Sequence, residues 1–169
     1  MKIMTAQTAM GLQEVKRWHT RRVDREQTVA SHTASLIGIA LILAKPYNLN
    51  PNDRCDLVEL ALIHDAHETE YGDIPYPTRM KFLELGFDLD LIARKAFWGG
   101  IDPYDMVMPH VAVLVDVADA VEAAMWSQDN APKVAPSAVA RALELSQALN
   151  NEVQALVLEM LGIRPEVDQ

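Results

Sequence analysis

Apolar positions along this chain recur mostly at helical spacing, and strand-like alternation of β-branched residues is rare. The stretch Thr5–Trp18 predicts a first helix carrying Met10, Val15 and Trp18 on one stripe. The basic run Arg17-Trp18-His19-Thr20-Arg21-Arg22 reads as a loop or a helix end. Thr28 is an N-cap residue type and predicts a helix to about Lys45, stopped by Pro46 and Asn48–Pro51. Asp53 is expected to open the next helix, through Leu57, Val58, Leu60, Ala61 and Ile63 to His64 and Glu68. Gly72–Pro77 carries two prolines two apart and is expected to be extended. Two shorter helices follow, Thr78–Leu85 and Leu89–Trp98, punctuated by Gly86 and Gly99-Gly100. A segment from Tyr104 or Asp105 runs apolar to Trp126, and Pro136–Leu161 reads as one closing helix. The pattern predicts an all-α bundle of about six or seven helices, with residues 1–169 as a single domain.

Composition narrows the classes. Half of the 169 residues are hydrophobic, enough for a core without staples. Cys55 is the sole cysteine, so no intrachain disulfide forms and a reducing compartment is the simplest setting. The net charge of −9 argues against nucleic-acid polymers as partners, because backbone binding needs surplus Lys and Arg. A small phosphorylated ligand stays open, since four of the fifteen basic residues fall between Lys16 and Arg22. The uninterrupted apolar runs Leu36–Ala44 and Val111–Val115 are short for a bilayer, and no signal peptide is evident. The expectation is a cytoplasmic protein with no membrane partner.

Candidate chemistry lies where polar groups interrupt the apolar pattern. His32 falls inside the helix after Thr28, and His64-Asp65 ends an apolar helix. Asp119 lies in a segment apolar almost all round apart from Asp116, Asp119 and Glu122. Such a helix is usually buried, and a buried carboxylate must be paired, protonated or metal-bound. No Lys or Arg occurs between His110 and Gln128, so a positive partner must come from elsewhere. One divalent cation would satisfy two imidazoles and two carboxylates together. Taken singly, a His on a helix face is more often a hydrogen-bonded core residue than a ligand, and Asp119 is a surface residue if its helix is not buried. Glu68 stands four residues past His64, on the same face if the helix continues, placed to touch a water at such an ion.

The order His32, His64-Asp65, Asp119 resembles the H…HD…D pattern of the HD-domain phosphohydrolases. His64-Asp65-Ala66-His67-Glu68 through Gly72-Asp73-Ile74-Pro75-Tyr76-Pro77 is similar to the HD-x-x-E…G-D-x-P-x-P segment of the 5′-deoxynucleotidase branch. Arg17-Trp18, the stretch Gln27–His32 and Val117-Ala118-Asp119-Ala120 match three further places in that branch, over residues 10–126. Ser31 stands where the family usually has Glu, and Thr69 replaces the second acid of the ppGpp-hydrolysing branch.

The resemblance implies an HD-domain helical bundle and a metal-dependent deoxynucleotide phosphohydrolase. It implies His32, His64, Asp65 and Asp119 as ligands of a divalent transition metal (Co, Mn, Zn, Fe or Ni by ligand type), with Glu68 and Asp73 in catalysis. Asp116 is a spare ligand candidate, and His67 is not expected to ligate. Substrate contacts fall to Arg17, Trp18, Thr20, Pro77 and Arg79, the Trp favouring a deoxyribose and Arg79 touching phosphate. Short phage-type members include dATP triphosphohydrolases, and Thr20 and Pro77 occupy their pattern positions. The cluster of cations favours a deoxynucleoside triphosphate substrate, cut to deoxynucleoside and triphosphate. The alternatives are a 5′-deoxynucleotidase acting on monophosphates and a non-catalytic nucleotide-binding module. A homo-oligomer is implied by the resemblance alone.

Overall fold

A computed structural model describes residues 4–164. Among them the chain forms nine α-helices, two 3-10 turns and one antiparallel pair of two-residue strands, an all-α architecture. The elements are α1 (Ala6–Gly11), β1 (Lys16–Arg17), β2 (Gln27–Thr28), α2 (Val29–Leu43), α3 (Pro51–Ile63), α4 (Glu68–Tyr71), α5 (Tyr76–Glu84), α6 (Leu89–Phe97), α7 (Pro109–Asn130), α8 (Ala135–Ser146) and α9 (Asn151–Met160). The 3-10 turns are Lys45–Tyr47 and Pro103–Met106.

The 22-residue α7 is the axis of the bundle. It packs against α8, α2, α3 and α9, which is why its sequence is apolar on nearly every side. Val111, Leu114, Val115, Val117, Ala118 and Val121 of α7 are essentially inaccessible, and they meet Leu36, Ala40 and Leu43 of α2 and Leu57, Leu60 and Ala61 of α3 in one core. At about 25 cal/mol per Å² of apolar surface, burying one such Leu or Val contributes roughly 1.5–3 kcal/mol. Val29–Tyr47 is apolar and long enough by composition alone to cross a bilayer. Here its helix packs against both α3 and α7 and carries the buried His32.

Thr28 caps α2 as expected and does so in a capping box with Ser31. Its hydroxyl accepts from Ser31 N at 3.2 Å, while Ser31 Oγ accepts from Thr28 N at 3.1 Å. Ser31 therefore serves the helix start.

Several boundaries differ from expectation, each for a local reason. The first helix stops at Gly11, because Lys16 and Arg17 leave it to pair with Thr28 and Gln27. α3 opens at Pro51, because Asn50 caps it by accepting from Asn52 N and Asp53 N. Pro109 at the start of α7 separates that helix from the 3-10 turn that Asp102 caps. The expected closing helix is two: Gln147–Asn150 interrupts it, and Asn150 caps α9 by accepting from Val153 N at 3.0 Å. α3 also ends at Ile63, and Glu68 begins a separate short helix after a tightened turn in which Glu68 N donates to Asp65 O. His64 and Glu68 thus reach one region by a turn and not by helical periodicity.

Candidate metal centre and substrate pocket

Three helices bring His32, His64 and Asp119 to one point, and Asp65 stands beside the two imidazoles, outside that mutually close group. α2 brings His32, the C-cap of α3 brings His64 and the next residue Asp65, and α7 brings Asp119. His32 Nε2 lies 3.3 Å from His64 Nε2, 3.2 Å from Asp119 Oδ1 and 3.6 Å from Asp65 Oδ2. His64 Nε2 lies 3.0 Å from Asp65 Oδ2. The donor atoms of His32, His64 and Asp119 all fall within 4.8 Å of one another, a grouping that could hold a metal ion.

The hydrogen bonds behind these atoms test the fit. His32 Nδ1 donates to Glu122 Oε2 at 2.7 Å, and His64 Nδ1 donates to the Ala61 carbonyl at 2.9 Å. With both Nδ1 atoms protonated, both Nε2 lone pairs face each other. Two carboxylate oxygens flank them, and Asp119 Oδ1 is buried without a hydrogen bond of its own. Such an arrangement demands a positive charge at its centre, a proton or a cation. Imidazoles held by a carboxylate and a carbonyl are the usual support of metal-ligating histidines. Two imidazoles and two carboxylates suit a divalent transition metal.

The electrostatics agree. Burial and Arg17 push the His32 imidazole down, yet the Asp119 and Glu122 carboxylates beside it win and hold it above its ordinary value. Burial pushes the Asp119 carboxyl up, but His32 and Arg17 hold it well below the usual range. Burial likewise raises Asp65, outweighed by His64, His32 and Arg17. Glu68 goes the other way. Its burial, with Asp65 and Asp73 nearby, pushes it well above an ordinary carboxyl, and its Oε2 has no hydrogen-bond partner. A carboxylate raised in this way is a proton acceptor better matched to neutral pH.

The positive partner missing from α7 itself is Arg17 on β1. Its guanidinium stands 3.7 Å from Asp119 and 3.6 Å from Glu122, with its side chain 10% exposed. Beside it opens a cleft of about 150 Å³. All five expected substrate contacts, Arg17, Trp18, Thr20, Pro77 and Arg79, line this one cleft, as do Asp73 and Asp119. Arg79 is committed to Asp90, 2.6 Å from its Nη1, a partner the expected phosphate contact did not include. His67 is buried, bonds the His64 carbonyl at 3.1 Å, and stays outside the ligand group. Asp116 lies by Tyr104 and is also outside that group.

Trp18 is held in a left-handed backbone conformation, φ +62°, which a bulky residue rarely adopts. Two contacts fix it there. Its ring stacks on Trp126 at 5.2 Å between centroids, and its Nε1 donates to Gln27 Oε1 at 2.8 Å.

Two residues that the sequence reading did not single out complete the site. Gln27 Nε2 donates to Glu122 Oε1 at 2.7 Å. A buried relay therefore runs from the Trp18 wall through Gln27 and Glu122 to His32. Glu122 supplies the carboxylate behind His32 in a chain where Ser31 has been taken by the helix cap. Its spacing was a readable signal, because it follows Asp119 by three and so shares its face of α7. Arg141, on α8, also lines the cleft; its guanidinium sits over the Tyr76 ring at 4.9 Å, and no sequence signal pointed to it.

Comparison with known proteins fits this geometry. The HD domain family model matches residues 9–85. A dATP triphosphohydrolase of Salmonella phage PMBT28 is 31% identical over 137 residues, covering 77% of this chain and 69% of that protein. The uncharacterized protein y4eI of Sinorhizobium fredii is 40% identical over 72 residues, covering 41% of this chain and 65% of that protein. In fold, the chain superposes on the cyanophage S-2L HD phosphohydrolase DatZ with a TM-score of 0.76, at 18% identity, covering 96% of each chain; that structure holds dA and one catalytic Zn²⁺ ion. With this likeness in sequence and fold, and the H…HD…D residues gathered at one point, the chain belongs to the HD-domain phosphohydrolases.

Proposed function

We propose that this protein is a divalent-metal-dependent hydrolase of deoxynucleoside triphosphates that cuts the 5′ ester and releases deoxynucleoside and triphosphate. The observation that carries the reading is the convergence of His64, Asp65 and Asp119 within 3.2–3.6 Å of His32 Nε2, with both Nδ1 atoms tied off. A divalent cation held there supplies Lewis-acid polarisation and a water of lowered pKa.

The chain's own groups do the rest. Glu68 takes a proton from the attacking water. Arg17 reaches the phosphate bound at the cleft, an anion its fork-shaped guanidinium matches. Trp18 walls the sugar and leaves no room for a 2′-hydroxyl. Asp73 stands at the leaving oxygen. Thr20 and Pro77 border the base.

The charge of the cleft favours a triphosphate. Four arginines (Arg17, Arg21, Arg79 and Arg141) line it against two aspartates (Asp73 and Asp119), in a chain whose net charge is −9. A triphosphate carries about two more negative charges than a monophosphate, and local cations raise its occupancy. The similar Salmonella phage protein is named for dATP, which makes dATP the first substrate to test.

The test is a panel of deoxy- and ribonucleotides as mono-, di- and triphosphates, assayed with Co²⁺, Mn²⁺ or Zn²⁺. Products are resolved as orthophosphate or triphosphate. Triphosphate release from a deoxynucleoside triphosphate is expected. Orthophosphate release from monophosphates alone establishes the 5′-deoxynucleotidase reading instead, and a metal-loaded protein that turns over nothing is a binding module.

A further inference from the structure

The arginines of the cleft are not alike. Arg17 and Arg79 are the cations that act most strongly on the Glu68 and Asp73 carboxyls, so they belong to the metal end. Both also answer carboxylates of the chain, Arg17 those of Asp119 and Glu122 and Arg79 that of Asp90. Arg141 comes from α8 and meets Tyr76, the residue before Pro77. Its guanidinium stands 4.9 Å over the Tyr76 ring, and its Nη1 donates to the Tyr76 hydroxyl at 3.3 Å.

α8 also lends the cleft Ser137 and Ala138. Ser137 and Arg141 are four residues apart and share a face of that helix. Their hydrogen-bonding senses are opposite and fixed. The Ser137 hydroxyl donates to the Val134 carbonyl at 2.8 Å; a carbonyl only accepts, so the serine proton is spent. Toward the cleft Ser137 therefore offers lone pairs. Arg141 offers donors alone: one of its five N–H groups serves Tyr76, and no carboxylate pairs with it among the described residues. The wall beside them, Ala120 and Ala123 of α7 with Ala138, presents methyl groups and no side-chain polar atom. One acceptor and one donor thus stand on an otherwise apolar surface, next to the Tyr76–Pro77 step.

We propose that Ser137 and Arg141 read the edge of the base, and select one with an amino group beside an unprotonated ring nitrogen, the pattern of adenine and cytosine. The amino group donates to Ser137 Oγ, and the ring nitrogen accepts from Arg141. Tyr76 is a positioning residue that holds the guanidinium. An oxo base reverses both senses. Its carbonyl faces the serine lone pairs, and its ring N–H faces the guanidinium. Polar groups left unpaired in this way are what make a site reject the wrong analogue. The inference rests on the hydrolase reading for the seat of the nucleotide and adds to it which bases are taken. The charge of Arg141 still contributes to the field that draws the phosphates.

The test uses full-length, metal-loaded protein with dATP and dITP, two purines that differ only in a 6-amino group with bare N1 against a 6-oxo group with N1–H. If monophosphates prove to be the substrates, dAMP and dIMP take their place. Wild type is expected to prefer the amino base on the order of 10–100-fold in kcat/KM, the usual worth of a two-point base contact. Ser137→Ala and Arg141→Met are each expected to narrow that ratio by about three- to tenfold, the worth of one hydrogen bond, through a higher KM for the amino base and with metal content unchanged. Arg141→Lys keeps a donor and is expected to hold more of the ratio than Arg141→Met. Calorimetric titration with deoxyadenosine and deoxyinosine repeats the comparison without hydrolysis.

Equal kcat/KM for the two bases in wild type overturns the proposal. So do variants that lower both substrates alike, because a structural defect does not discriminate between them. A protein that turns over no nucleotide, yet binds deoxyadenosine more tightly than deoxyinosine and loses that preference in Arg141→Met, keeps the base reading while the hydrolase reading fails. Equal affinity for the two nucleosides in such a protein overturns both.

Discussion

Replacing Glu122 by Gln isolates the charge behind His32 while keeping the shape of the side chain. The carboxylate accepts twice, from His32 Nδ1 and from Gln27 Nε2, both at 2.7 Å. A glutamine offers one oxygen and one NH₂. If that oxygen serves His32, the NH₂ faces the Gln27 NH₂. If Gln27 turns over to present its oxygen, its own NH₂ then faces the Trp18 Nε1–H, which it accepts from at 2.8 Å in the native arrangement. One buried donor is orphaned in either case, at about 1–3 kcal/mol. Arg17 also loses the carboxylate at 3.6 Å. The metal-free variant should lose about 2–3 kcal/mol, or roughly 4–12 °C in Tm for a chain of this size, measured by urea and thermal unfolding. Metal affinity, by calorimetric titration, should fall about 10–100-fold, the usual effect of removing the carboxylate behind a ligating His. The double variant Gln27→Glu with Glu122→Gln separates the two effects. Its carboxylate at position 27 accepts from Trp18 and from the new amide at position 122, whose oxygen serves His32, so every donor is satisfied. Stability should return most of the way while metal affinity stays low. A single variant with wild-type Tm and wild-type metal affinity refutes the relay.

Three further outcomes are expected. Asp65→Ala or His64→Ala should abolish stoichiometric metal binding by elemental analysis, and chelation should lower the wild-type Tm, because an ion at about 1,000 times its Kd adds roughly 4 kcal/mol; unchanged metal content in either variant removes the site. Trp18→Ala should narrow the ratio of kcat/KM between deoxy- and ribonucleotides by tenfold or more, about 1.4 kcal/mol, and an unchanged ratio removes its role as the sugar wall. Asp102→Asn should cost about 2–4 kcal/mol in urea unfolding, because it breaks a buried two-point pair with Arg94, both contacts at 3.0 Å, and weakens the cap on Tyr104 N. Burial pushes the Asp102 carboxyl up, but the Arg94 bonds outweigh it and hold it below the ordinary range. A depressed folded-state pKa adds stability that is full above the unfolded value near 4 and is lost as pH falls through the folded value. Wild type should therefore shed this contribution below about pH 4, and the Asn variant should lack that part of the slope.

The residue pattern was enough to define an all-α chain, the Thr28 cap, the buried character of the segment around Asp119 and the ligand types. These are local properties, set by spacing of about 3.6 residues, by cap chemistry and by the cost of burying charge. What it could not show is what stands behind and between those residues. Gln27 and Glu122 are 95 positions apart and touch at 2.7 Å. Arg17 answers the carboxylates of α7 from a two-residue strand, in a stretch whose apolar stripe reads as helix. Ser31 gives its hydroxyl to a helix cap while the carboxylate for His32 arrives from α7. Arg79 turns to Asp90, and α8 contributes Arg141 to a cleft that Arg17 and Trp18, more than a hundred positions earlier, also line. Sequence decides which groups the chain carries and which faces must be buried. Tertiary packing alone selects which group meets which, because hydrogen bonds and ion pairs depend on distances of a few ångströms between segments whose separation along the chain carries no such information.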